Sequence, residues 1–154
     1  MIAPASDLDR LMALMDAAFD PHFREAWTRK QVEDSLLVGN CAYRLITAEG
    51  SKAAPEEDAA GFTLSRRVVD EEELLLIAVA PEHRKKGLAR ALLSALFVAA
   101  REQGIKRVFL EMRENNEAEI VYRSCGFTPI GRRRDYYRTT SGERLDAITF
   151  ARDL

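Results

Sequence analysis

The stretch from Leu74 to Leu93, LLLIAVAPEHRKKGLARALL, constrains this chain more than any other. An apolar, strand-like run ends at Pro81, a basic turn follows, and Gly87 opens a helix. A helix start leaves unpaired backbone N–H groups and the positive end of the helix dipole aimed at one spot. Gly87 carries no Cβ to keep a ligand off the backbone. Arg84, Lys85 and Lys86 add positive charge around it. The run predicts an anion site. The same residues also fit a plain strand–turn–helix joint with solvated basic side chains, because short glycine motifs recur by chance.

The rest of the chain narrows these alternatives. Its 154 residues suit one domain over 1–154 and leave little room for a second. Apolar residues make up 47% and charged residues 31%, which predicts a sizeable core and a soluble protein. A net charge of −2 argues against bulk nucleic acid as the main partner. No stretch approaches a membrane span, and the N-terminus lacks an apolar signal core. Cys41 and Cys125 form neither a disulfide framework nor a C-x-x-C pair, so reduced thiols and a cytoplasmic location are expected. His22 and His83 stand far apart without ligand-like partners and read as turn residues, with no metal site expected.

Periodicity sets the order of elements. Leu8, Leu11, Met12, Met15 and Phe19 recur at helical spacing, with Ser6 and Asp7 available as caps. Thr28 and Gln31 form a capping-box pattern for a second helix that stops near Gly39. Strands are expected over 41–47, 61–69 and 72–80, with a mobile loop over 48–60. The third strand is continuously apolar, which predicts burial on both faces. A helix over 88–102 is apolar nearly all round, with only Arg90, Ser94 and Arg101 as a polar stripe, so it should pack deep against the sheet. A strand over 106–112 puts Val108, Leu110 and Met112 on one face and Phe109 and Glu111 on the other. A short helix over 117–124 and strands over 128–138 and 144–152 complete the chain. With a short first strand around Ile2, this order predicts an α/β (α+β) fold: a single mixed, mostly antiparallel twisted sheet of about six to seven strands with helices on both faces.

Three separate signals then agree. Leu76-Ile77-Ala78-Val79 precedes Pro81; Arg84-Lys85-Lys86-Gly87-Leu88-Ala89 fits R-x-x-G-x-A and runs into Arg90; Asn115 and Asn116 precede Tyr122 and Gly126-Phe127. Together they resemble the GNAT superfamily of acetyl-CoA-dependent N-acetyltransferases over nearly the whole chain. The resemblance implies that acetyl-CoA is the cosubstrate. Its pantetheine arm would pair with the strand at Ile77, Ala78 and Val79, and its pyrophosphate would lie on residues 84–90. One of Asn115 and Asn116 would contact pantetheine. The segment from Glu111 to Tyr122 is one residue shorter than the related pattern, so counting from the strand selects Asn116 and counting back from the helix selects Asn115. The helix register favours Asn115. Ala89 stands where many relatives have glycine.

Within that superfamily the chain is most similar to the ribosomal-protein-alanine N-acetyltransferases, through Ala26-Trp27-Thr28, Leu110-Glu111-Met112-Arg113 and Arg133-Arg134-Asp135-Tyr136-Tyr137. Thr140-Ser141-Gly142 and Asp146-Ala147 are also similar. This likeness implies Glu111 as general base, Tyr122 as general acid, a peptide groove at Trp27, Tyr136 and Tyr137, and the N-terminal alanine of a ribosomal protein as acceptor. The chemistry is consistent with these roles. An α-amino group has a pKa of about 7.7–8.0 against about 10.4 for lysine, so a carboxylate suffices to take its proton, directly or through one water. A tyrosine hydroxyl can return a proton to the departing thiolate. On residue type alone, Glu111 also reads as a solvated strand residue and Tyr122 as core.

Two charged runs stay open. Arg132-Arg133-Arg134 reads as a solvated strand end beside acidic neighbours or as a ribosome contact. The acidic run 70–73 reads as a hairpin turn or as an attractor for a basic peptide. The expectation is a cytoplasmic monomer that acts on a protein N-terminus and requires neither a membrane nor direct nucleic-acid contact. The alternatives are a GNAT enzyme acting on a small amine or a lysine, and a non-catalytic CoA-binding module.

Overall fold

The structure, a computed structural model, describes residues 3–154. The strand expected around Ile2 lies outside the described residues. Six strands form one sheet in the order β1-β2-β3-β4-β6-β5. They are β1 (Cys41–Ile46), β2 (Gly61–Val68), β3 (Glu71–Val79), β4 (Arg107–Arg113), β5 (Thr128–Arg138) and β6 (Arg144–Asp153). Neighbours are antiparallel except β3 and β4, which run parallel and are joined through a helical crossover. The helices are α1 (Ala5–Ala18), α2 (Arg29–Leu37), α3 (Leu88–Glu102) and α4 (Glu119–Ser124). The mixed, mostly antiparallel sheet is the one the element order implies.

Each sheet face is covered. On one, Leu8, Leu11, Met15, Val32 and Leu36 of α1 and α2 pack on Phe62, Leu64, Leu76 and Ala78. On the other, Leu93, Leu96 and Phe97 of α3 and Tyr122 of α4 pack on Val108, Leu110, Met112 and Phe150. Helix α3 is less engulfed than its composition suggests. Arg90, Ser94, Val98 and Arg101 form an outward stripe, and Val98 is 55% exposed.

Several local expectations change. Helix α1 starts behind Pro4 with no side-chain cap. Asp7 instead lies in the first turn and accepts hydrogen bonds from Arg10 (2.8 Å) and the Tyr43 hydroxyl (2.5 Å). The capping box of α2 forms: Thr28 Oγ1 accepts from the Gln31 N–H, and Gln31 Oε1 accepts from the Thr28 N–H. The 48–60 connection, expected to be mobile, is tied to the scaffold. Arg10 donates to the carbonyls of Ala54 and Glu57, and the Ala60 N–H donates to the Ile46 carbonyl.

Strand β3 is not buried continuously on both faces. Buried Glu72, Leu74, Leu76 and Ala78 alternate with half-buried neighbours. A β-bulge explains why the run still looks uniformly apolar. Leu64 pairs with Leu76 but Ser65 pairs with Leu74, which leaves Leu75 as the extra residue. The extra residue changes the phase of the strand, so Leu74 packs in the α3 layer and Leu76 in the α1 layer. Residues of one parity therefore serve both cores, one on each side of the bulge.

Candidate active site

Strands β3 and β4 pair only over Glu71–Leu74 and Arg107–Leu110. Beyond that point β3 continues to Val79 and β4 to Arg113 without pairing, so the sheet opens into a wedge. The Ala80 N–H donates to the Ala60 carbonyl on the β2 side (2.8 Å). Alternation along the strand then sends the N–H and C=O groups of Val79 and Ile77 toward the open side. Ala78 turns its backbone to β2 and its side chain to the α1-side core. Of the three predicted strand residues, two thus offer free polar groups to an extended ligand, and Ala78 supports them.

The basic loop lies at the end of β3. A 3-10 turn, Pro81–His83, precedes it, and Lys85 (φ 63°) and Gly87 (φ 79°) are both left-handed. The Ala91 N–H donates to the Gly87 carbonyl as the first bond of α3, and the amides of residues 85–90 have no backbone acceptor among the described residues. A Cβ built on Gly87 would meet nothing within 4 Å, so the hollow at the helix start is open. Leu88 is buried and roots the helix in the core, whereas Arg84, Lys85, Lys86 and Arg90 are exposed. Arg84 also donates to the Ala18 carbonyl at the end of α1 (3.0 Å). Consecutive free amides, several cations and an unfilled glycine fit a diphosphate.

Glu111 leaves β4 on the face opposite Val108 and Leu110. Its Oε2 lies 3.5 Å from Arg133 Nε, and its side chain is 22% exposed. Tyr122 is buried edge-on to Phe127, with ring centroids 5.9 Å apart. Its hydroxyl has no hydrogen-bond partner among the described residues, yet it is not sealed off, since the one sealed, unpartnered side-chain polar atom among them is Arg10 Nε. Burial pushes the Tyr122 hydroxyl well above its ordinary range, and the nearby Glu25 carboxylate adds to the rise. Tyr137 is pushed up in the same way by burial, and then by Glu111 and Glu25. The Glu25 charge thus reaches both tyrosines, and the Glu111 charge reaches Tyr137.

Tyr136 is half exposed, packs edge-on against Tyr137 and lies under Arg133. Trp27 is half-buried against the α1-side core. Asn115 is exposed in a left-handed conformation and accepts from Arg113 at its carbonyl. Asn116 caps the turn into α4, its Oδ1 accepting from the Ala118 N–H (2.9 Å), which leaves its amide N–H groups free. Two of the three arginines in the run are engaged within the fold: Arg132 pairs with Asp146 and Glu114, and Arg133 with Glu111. Two acids of the run 70–73 are likewise spent internally. Glu72 is fully buried against Ser65 and Arg67, Glu73 pairs with Arg66, and both sit at the paired end of β3, away from the wedge. Glu25 was not legible, because a lone acid between two helices carries no pattern.

Comparison with known proteins gives the family and the fold. The model of the acetyltransferase (GNAT) family matches residues 9–127. The [ribosomal protein bS18]-alanine N-acetyltransferase of Escherichia coli K12 is 43% identical over 93 residues, 60% of this chain. That aligned stretch spans 62% of the relative's own length. The enzyme of the same name from Salmonella typhimurium LT2 is 38% identical over 119 residues, 77% of this chain and 78% of the relative. The crystal structure of the ribosomal-protein-S18-alanine N-acetyltransferase from Escherichia coli superposes with a TM-score of 0.80 at 30% identity, covering 99% of this chain and 91% of that one.

Proposed function

Because the chain belongs to the GNAT family of acetyltransferases, we propose that it transfers an acetyl group from acetyl-CoA to the α-amino group of an N-terminal alanine of a ribosomal protein. The observation that carries this reading is the open wedge beside β3, whose unpaired edge runs into the free amides and cations of residues 84–90. Two relatives named for the alanine of bS18 support the acceptor.

Bound in the wedge, acetyl-CoA supplies an acetyl group activated as a thioester. The amides of residues 85–90, with Arg84, Lys85 and Lys86, hold the pyrophosphate, and the free edge at Ile77 and Val79 receives the pantetheine arm. Asn115 or Asn116 adds an amide contact. The Val79 N–H polarises the thioester carbonyl, a fixed donor aimed at developing negative charge. Glu111 takes the proton of the acceptor ammonium, directly or through one water. Tyr122 donates a proton to the sulfur that leaves. Trp27, Tyr136 and Tyr137 border the path of the peptide.

The test is thiol release from acetyl-CoA with peptides beginning in Ala, Ser or Met and with free lysine, side by side. The Ala peptide is expected to react fastest. Glu111→Gln should lower kcat by about 100-fold, the lower end of general-base catalysis, and leave the acetyl-CoA Kd unchanged. Faster turnover of free lysine would favour a small-amine enzyme. Tight CoA binding without turnover of any amine would favour a non-catalytic module.

A further inference from the structure

Glu25, on the connection between α1 and α2, brings a second carboxylate to the wedge. Its Oε1 accepts from Arg113 Nε at 3.2 Å, and its other oxygen has no partner among the described residues. Arg113 is itself held from several sides. Its guanidinium lies 3.5 Å from the centre of the Phe23 ring and donates to the Asn115 carbonyl. Glu25 is therefore positioned rather than loose, with 22% of its side chain exposed.

The charges around it do not balance. Glu111 and Arg113 leave the same face of β4, so the Glu25 carboxylate on Arg113 lies on the side of the sheet that carries Glu111. The cations that face the two carboxylates are Arg113, whose side chain is 14% exposed, and Arg133, at 64%. Arg133 is screened by water and lies 3.5 Å from Glu111, so it compensates little. On Glu25's own segment, His22 turns to the Thr140 hydroxyl and Arg24 is exposed. The enclosed groups amount to two carboxylates against one guanidinium, with the Tyr122 and Tyr137 hydroxyls held protonated by burial. Half-buried negative charge of this kind is costly until a cation completes it.

Resting on the amine-acetylating reading of this site, we propose that Glu25 anchors the acceptor's α-ammonium group through its free carboxylate oxygen, so that the amine enters protonated between Glu25 and Glu111. The ammonium supplies the missing positive charge. Glu111 then removes one proton, and the neutral amine left behind is held less tightly by Glu25 as it turns to the thioester. Glu25 contacts the substrate but transfers no proton.

The expected signature is a pH-dependent KM. With an Ala-starting peptide near pH 6.5, Glu25→Gln should raise KM about tenfold, the loss expected for a charge-assisted hydrogen bond, and leave kcat within about threefold. The deficit should shrink as pH rises through the α-amine's own range of about 7.7–8.0, because a neutral amine gains nothing from the carboxylate charge. Glu25→Asp should recover part of the loss at low pH. In the wild-type protein, which needs no folding control, KM for the peptide should rise above about pH 8. A KM deficit of the same size at every pH would mean that Glu25 only holds Arg113, and would overturn the proposal. So would an E25Q protein with wild-type KM, or a wild-type KM that falls with rising pH. Wild-type protein that acetylates no amine would remove the parent reading and this one with it, whereas an active wild type with an indifferent E25Q removes this one alone.

Discussion

Replacing Tyr122 by Phe deletes one oxygen and leaves the packing in place. The ring stays edge-on to Phe127 and within the cluster of Leu110, Met112 and Phe150. No hydrogen bond within the described residues is lost, so stability should change by less than about 0.5 kcal/mol. For a chain of this length that is a melting shift of about 2 °C or less. Activity should respond very differently. Burial and the Glu25 charge keep the hydroxyl protonated at neutral pH, ready to donate. Its hold on the proton exceeds that of a thiolate, whose ordinary pKa is about 8.5, so complete transfer is uphill. The gain should then sit at the low end of general-acid catalysis, about 100-fold or about 2.7 kcal/mol of barrier. The assay pairs thiol-release kinetics on an Ala-starting peptide with thermal melting of the same samples. A kcat within about threefold of wild type would refute the acid role, since the thiolate would then leave without help from Tyr122. A melting loss above about 4 °C would instead place the hydroxyl in the core's own hydrogen bonding.

Two further outcomes concern the scaffold. Glu72→Ala should leave Ser65 Oγ and Arg67 Nε unpaired beside the β3 bulge. Because Arg67 is one-third exposed, the cost should be at the lower end for a broken buried pair, about 3 kcal/mol, and a melting point within about 2 °C of wild type would contradict this. Asp7 is held below its ordinary pKa of 3.8, first by the Tyr43 hydroxyl and then by Arg10, with burial opposing them. A native value below the unfolded one stabilises the fold fully above 3.8 and loses that contribution as pH falls through the native value. Urea midpoints of wild type and Asp7→Asn should therefore differ by a constant amount from about pH 5 to 7 and converge near about pH 2; a gap that persists unchanged in acid would rule Asp7 out as the source.

What could be read from the sequence was what is periodic or local. The capping box at Thr28 and Gln31, the basic turn that opens a helix at Gly87 and the strands at the C-terminal end depend on neighbours a few residues away, and the structure forms them. The misreadings share a different cause. Ser6 and Asp7 looked like caps, but Asp7 is claimed by Tyr43, 36 residues later in the chain. The acids of 70–73 read either as a hairpin turn or as an attractor for a basic peptide, and Arg66 and Arg67 on the neighbouring strand take two of them. In each case a tertiary partner outcompeted the local role, and no window of sequence contains that partner.

The same limit explains why one carboxylate of the candidate site was found and the other was not. Glu111 follows Leu110 on a strand whose alternation already assigns it to the face away from the α3 core, so a polar residue there calls for a reason. Glu25 sits in no repeat, and its place is set by Arg113, 88 residues away. That contact is possible because β4 runs on to Arg113 after parting from β3 at Leu110, leaving the far edge of the strand for the α1–α2 connection to approach. The wedge thus does two jobs at once. It leaves the β3 edge unpaired, and it brings Glu25 beside Arg113, 88 positions later in the chain. A change that closed the wedge should therefore weaken cosubstrate and acceptor binding together, whereas a change confined to Glu25 should reach the acceptor alone.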